Sequence, residues 1–120
     1  MQRLNWYRIR FVNLFYLYFM RLSQFEIETI TKLVQKHFGE EAQVFLFGSR
    51  VDDQKKGGDI DLFVKNSDKS RLTLEAKINF LVDLKSIIGD QKIDLVFDNA
   101  NTQRKTSFYH SIMQHKLQLS

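Results

Sequence analysis

Residues 47–64, FGSRVDDQKKGGDIDLFV, decide how this chain is read. Gly48-Ser49 closes an apolar aromatic run, and Asp59-Ile60-Asp61 opens the next one. In an extended strand, side chains two positions apart share a face, so Asp59 and Asp61 point together while Ile60, Leu62 and Val64 point the other way. Like charges so placed are costly without a cation between them. Gly48 has no Cβ, so the backbone there can approach a ligand closely. Ser49 adds a hydroxyl, and the amides of such a turn suit an anion such as a triphosphate. Paired carboxylates next to a phosphate-binding turn suit Mg²⁺, which takes one or two carboxylates plus substrate phosphates.

Working outward, the flanks supply regular elements. Leu22-Ser23-Gln24-Phe25-Glu26-Ile27 predicts a helix start, with Ser23 and Glu26 as a capping box and Leu22 and Ile27 as a hydrophobic staple. Ile27, Ile30, Leu33, Val34 and Phe38 recur at helical spacing up to a stop at Gly39. Residues 42–47 predict a buried strand, and 59–65 a second. A helix is expected from about Leu72 to Ile88, with Leu74, Ile78, Leu81, Leu84 and Ile88 as its apolar stripe and Gly89 as its stop. A third strand follows over 92–97, with Asp94 on its polar face. A short last helix is expected over 104–115. The order α-β-β-α-β-α implies an α+β domain, a small mixed sheet flanked by helices. If the third strand pairs beside the second, Asp94 joins Asp59 and Asp61, and three carboxylates fit two-metal phosphoryl or nucleotidyl transfer.

Composition narrows the classes. A chain of 120 residues fits one core. The absence of cysteine excludes disulfides and thiolate metal sites and points to a reducing, cytoplasmic setting. The net charge of +4 comes from the start of the chain. Residues 1–22 hold Arg3, Arg8, Arg10 and Arg21 and no acid, whereas residues 23–120 hold fourteen Lys/Arg and fourteen Asp/Glu, and 14 − 14 leaves zero. A general nucleic-acid footprint is therefore not expected. The apolar run from Phe11 to Met20 is too short to span a bilayer and has no small-residue cleavage site after it. Residues 1–21 are read as a basic, hydrophobic leader outside the working domain, with Met20 as its functional start, and residues 22–120 as that domain.

The run from strand to Gly48-Ser49, nine residues, Asp59-Ile60-Asp61-Leu62 and a later strand Asp94 resembles the DNA polymerase β-type nucleotidyltransferase superfamily. Within it, the chain is similar to the minimal nucleotidyltransferases, the antitoxin partners of HEPN-domain toxins. Residues 108–119, FYHSIMQHKLQL, resemble the closing helix and strand of that family. The likeness implies that Gly48, Ser49 and Arg50 bind the triphosphate and that Asp59 and Asp61 hold two Mg²⁺ ions. It implies that Asp94 completes the metal site and helps activate the attacking hydroxyl. It further implies transfer of AMP from ATP to a tyrosine of a partner toxin in a hetero-oligomer. Relatives acting on small molecules or tRNA carry a further helical domain, for which the chain after the leader has no space. Two other readings follow from the same likeness: neutralisation of the toxin by binding alone, and transfer to a small molecule such as an aminoglycoside.

Other residues receive plainer roles. Lys55, Lys56, Gly57 and Gly58 read as a flexible loop, and Asp52 and Asp53 as solvated turn residues. His37 suits a helix C-terminus. His110 and His115 lie five apart, off the spacing of a helical metal pair, and receive no metal role. Phe108 and Tyr109 read as packing residues. Asp98 lies at a strand end, either near the site or in a turn.

Overall fold

The computed structural model describes residues 22–48 and 59–120. The leader, Ser49, Arg50 and residues 51–58, expected to form a loop, lie outside the described residues. The elements run α1 (Gln24–Phe38), β1 (Gln43–Phe47), β2 (Ile60–Lys65), a 3₁₀ turn (Lys69–Arg71), α2 (Leu74–Ile88), β3 (Ile93–Phe97), α3 (Ala100–Gln103), α4 (Thr106–His115) and β4 (Leu117–Gln118). The strands form one mixed sheet in the order β3-β2-β1-β4. β1 pairs antiparallel with β2 and with β4, and β2 pairs parallel with β3.

α1 starts as its residues predict. The Ser23 hydroxyl accepts from the Glu26 amide at 3.0 Å, and the Glu26 carboxylate accepts from the Ser23 amide at 2.9 Å. Leu22 and Ile27 are both buried in the same cluster. The helix stops at Gly39, whose φ of +106° is a conformation that side-chain-bearing residues rarely adopt. Just beyond, buried Asn66 donates to the Phe38 carbonyl at 2.8 Å and so satisfies one of the helix's final acceptors.

The sheet divides the core in two. Ile60, Leu62 and Val64 of β2, with Ile93 and Leu95 of β3, face α1 and α2 together with Val34, Phe38, Phe80 and Leu84. On the other face Phe45, Phe47 and Phe63 pack against Ile112 of α4. The aromatic contacts follow this division: Phe38 meets Phe80 at 5.2 Å and Phe97 at 5.4 Å, while Phe63 meets Tyr109 at 6.2 Å.

Two expectations are corrected. α2 starts at Leu74 after the Thr73 cap, and its buried residues are Phe80 and Leu84. Leu74 and Ile78 of the expected stripe are exposed instead, at 70% and 52%. The helix is apolar around much of its circumference, so spacing alone did not select the side that meets α1 and the sheet. The expected last helix over 104–115 is found as α4, starting at Thr106, but a further short helix, α3, precedes it unexpectedly; Asn99 caps α3 by accepting from the Thr102 amide at 2.9 Å.

A polar clasp joins α1 to α2. Nε2 of His37 lies 2.7 Å from Oδ2 of Asp83, and Nζ of Lys36 lies 3.2 Å from the same oxygen. These hydrogen bonds, His37 first and Lys36 second, hold the Asp83 carboxyl below its ordinary pKa. A depressed carboxyl pKa contributes stability that is complete above the unfolded value, about 3.9, and is lost as pH falls through the folded value. Thermal melts at stepped pH should therefore show the difference between the native chain and Asp83→Asn shrinking below about pH 4. A gap that persists down to pH 2 would contradict this.

Candidate active site

The candidate site is built where three strand ends meet: the end of β1, the start of β2 and the start of β3. The parallel pairing of β2 with β3 sets Asp61 opposite Asp94, and the antiparallel pairing with β1 sets Asp61 opposite Phe47. The Ile60 amide donates to the Lys92 carbonyl at 3.0 Å, which fixes the two strands at their starts. Asp59 immediately precedes this bond, so its carboxylate joins the same end of the sheet.

One carboxylate oxygen from each of Asp59, Asp61 and Asp94 lies within 4.8 Å of the others. Asp59 and Asp61 are half-buried and Asp94 is exposed. Nζ of Lys92 stands 3.6 Å from Asp59, a solvent-facing pair that offsets part of the local negative charge. Three carboxylates this close suit a hard divalent cation, which takes oxygen ligands and offsets their mutual repulsion.

Gly48 has a role beyond an expected approach to phosphate. Its φ is +79°, and a Cβ at this position would collide with the Asp61 carboxylate, meeting its Cγ at 3.0 Å. The glycine therefore makes room for Asp61 as well as for the turn. Gly48→Ala should lower stability by about 1–2 kcal/mol from the left-handed conformation alone. It should also displace Asp61 and reduce the rise in melting temperature on adding Mg²⁺, measured by thermal melts with and without the ion. An unchanged Mg²⁺ response would show that Asp61 does not depend on Gly48.

An open pocket of about 870 Å³ extends from Gly48, Asp61 and Asp94 along β3. Phe47, Ile93, Leu95 and Val96 supply apolar walls from the sheet, Lys77 and Leu81 from α2, and Phe108, Ser111, Ile112 and His115 from α4. Phe108 is more than a packing residue: its ring meets Phe47 at 6.0 Å, yet it stays 40% exposed on the pocket wall. His115 also lines the pocket, with Nδ1 3.2 Å from the Ser111 carbonyl, and it is not in the carboxylate cluster. Lys77, Phe108, Ser111 and His115 were not singled out for the site from sequence. Helix periodicity could place them on faces, but no local signal shows that α2 and α4 converge on the start of β3.

Asp98 resolves to the structural role. It lies just past the end of β3, four residues beyond Asp94 and about 13 Å from it at the usual strand rise. It is buried, and its Oδ1 accepts from Gln103 at 3.0 Å and from the Tyr109 hydroxyl at 3.2 Å. Burial, and then the Asp98 charge, raise the Tyr109 pKa above its ordinary value.

Ser49 and Arg50, expected beside the phosphates, lie outside the described residues. Among the described residues no helix is long and apolar enough to cross a membrane.

Two comparisons with known proteins complete the description of the site. The family model described as polymerase beta, nucleotidyltransferase, matches residues 28–119, from within α1 to the end of the sheet. No curated protein matches the chain.

Proposed function

Because the chain belongs to the polymerase beta nucleotidyltransferase family, we propose that it transfers AMP from ATP to a hydroxyl, a tyrosine of a HEPN-domain partner toxin, and so acts as an antitoxin. The observation that carries the transfer chemistry is the carboxylate cluster of Asp59, Asp61 and Asp94 beside Gly48 and an open pocket. The protein acceptor and the antitoxin role are supported by the likeness of the Gly48-Ser49 to Asp59-x-Asp61 arrangement to the minimal nucleotidyltransferases.

The residues divide the work as follows. Asp59, Asp61 and Asp94 would hold Mg²⁺, which when bound supplies positive charge to the triphosphate and the attacking oxygen. Gly48 keeps space for the Asp61 carboxylate and, with Ser49 and Arg50, would bind the phosphates. The acceptor oxygen attacks the α-phosphorus of ATP, the bond from that phosphorus to the β-phosphate oxygen breaks, and pyrophosphate leaves. The acceptor proton passes to Asp94, whose exposed position lets it release the proton to water. Phe47, Phe108 and the apolar wall of β3 offer surface for a base or an aromatic acceptor side chain.

The test is incubation of the chain with α-labelled ATP, Mg²⁺ and a HEPN-type protein encoded beside it. Label on the partner that is lost when a tyrosine is replaced by phenylalanine supports the reading. A complex that forms without label would leave neutralisation by binding alone, and label on an aminoglycoside in place of the protein would replace the acceptor class.

A further inference from the structure

α2 carries an apolar stripe that nothing in the described chain covers. Leu74, Ile78 and Val82 recur at i, i+4 and i+8, the spacing of one helical face, and are 70%, 52% and 63% exposed. Three large apolar side chains in register differ from apolar residues scattered singly over a surface and mark an interaction face. The stripe continues into the candidate active site. Leu81, one turn from Ile78 and two from Leu74 on the same side, lines the pocket that holds Asp61 and Asp94, and Lys77 lines it beside Leu81. A ligand that enters this pocket along β3 and is larger than a nucleotide therefore meets the stripe.

We propose that Leu74, Ile78 and Val82 form the docking face for the protein acceptor, which seats an apolar ridge on α2 and thereby presents its hydroxyl to Asp94. The identity of the occupant rests on the transferase reading above; the docking face itself is tested by complex formation without chemistry. Its continuity with the pocket selects the acceptor: one surface both holds the protein and aims the reacting group. Charge refines the partner's chemistry. Lys77 and Lys85 lie beside the stripe, and neither is in an ion pair among the described residues. Glu75 borders the stripe on the Val82 side, so the partner's ridge is apolar with acidic residues only on the side that meets Lys77 and Lys85, the complement that favours encounter and register.

The experiment uses Ile78→Glu and Val82→Glu in the full chain. Both positions are exposed, so circular dichroism and the melting temperature should match those of the native chain. Fluorescence titration with a labelled ATP analogue and Mg²⁺ should also be unchanged, because neither residue lines the pocket. Complex formation with the HEPN-type protein, measured by sedimentation, should weaken at least tenfold, and the KM for that protein in label transfer should rise at least tenfold. Asp61→Asn, run beside them, should lose transfer and keep the complex, which separates docking from chemistry. Unchanged complex formation by both glutamate variants would overturn the docking face and leave the transferase reading intact. Failure of the native chain to label any protein, with a complex that still depends on Ile78 and Val82, would overturn the reaction and leave the docking face. Self-association of the native chain that is lost in Val82→Glu would assign the stripe to a second copy and overturn the proposal.

Discussion

Asp61→Asn should reduce nucleotidyl transfer by about 10³-fold or more while leaving the chain folded. The rate effect follows from cation charge worth several kcal/mol in such sites, with each 1.36 kcal/mol a factor of ten. Asparagine keeps the shape that Gly48 accommodates but removes a negative charge from the middle of the cluster. The stability effect is smaller. Asp61 stands opposite Asp94 on the neighbouring strand, and like charges so placed destabilise a sheet by about 0.2–1 kcal/mol, which offsets part of what the substitution loses. In chelator, the variant should therefore melt close to the native temperature. With Mg²⁺ the native chain should melt clearly higher, because a ligand that binds only the folded state stabilises it in proportion to its saturation. Asp90→Asn, at an exposed position outside the cluster, should behave as the native chain does in both assays. Transfer within tenfold of native by Asp61→Asn would remove this carboxylate from the site.

Phe80→Ala should cost about 3–5 kcal/mol, the usual range for deleting a buried phenylalanine. The ring is fully buried between the two helices and the sheet, 5.2 Å from Phe38 and 6.2 Å from His37. Its loss removes transfer free energy and leaves a cavity that the sheet, as a rigid floor, cannot collapse to fill. A domain of this size has a net stability of about 5–15 kcal/mol, so the variant should stand near the threshold of unfolding at room temperature. Urea melts should show a large fall in midpoint with little change in slope. Phe108→Ala, at a partly exposed ring, should cost far less, and its effect should fall on the pocket. A loss below about 1 kcal/mol for Phe80→Ala would mean that α1 and α2 can close around the space.

The contrast between these two phenylalanines shows what was legible in the chain. The capping box of Ser23 and Glu26, the staple of Leu22 and Ile27, and the alternation of Ile60, Leu62 and Val64 are local patterns, and each occurs where its residues predict. The burial of Phe80 and the exposure of Leu74 and Ile78 are not local. α2 offers apolar residues on several sides, and only the approach of α1 and the sheet selects among them. Asn66 is similar: nothing in its neighbourhood reveals that it would reach back to the Phe38 carbonyl. The short helix α3 before Arg104 and Lys105 also escaped a reading by apolar spacing, since it lies with the Asn99 cap in the mostly polar stretch 99–107.

For the candidate site the boundary is equally physical. Sequence by itself determined the chemistry available: two carboxylates on one strand face, a Gly-Ser turn before them, and a third carboxylate on a later strand. These depend on alternation and residue type, which act over a few residues. Tertiary structure decided that the three meet. The parallel pairing of β2 with β3 is a long-range choice of register, and a shift by one residue would carry Asp94 to the opposite face. The same pairing brings α2 and α4 to the pocket mouth and leaves Leu74, Ile78 and Val82 exposed beside it. Local pattern therefore supplied the carboxylates, and packing supplied both their convergence and the exposed apolar surface beside them.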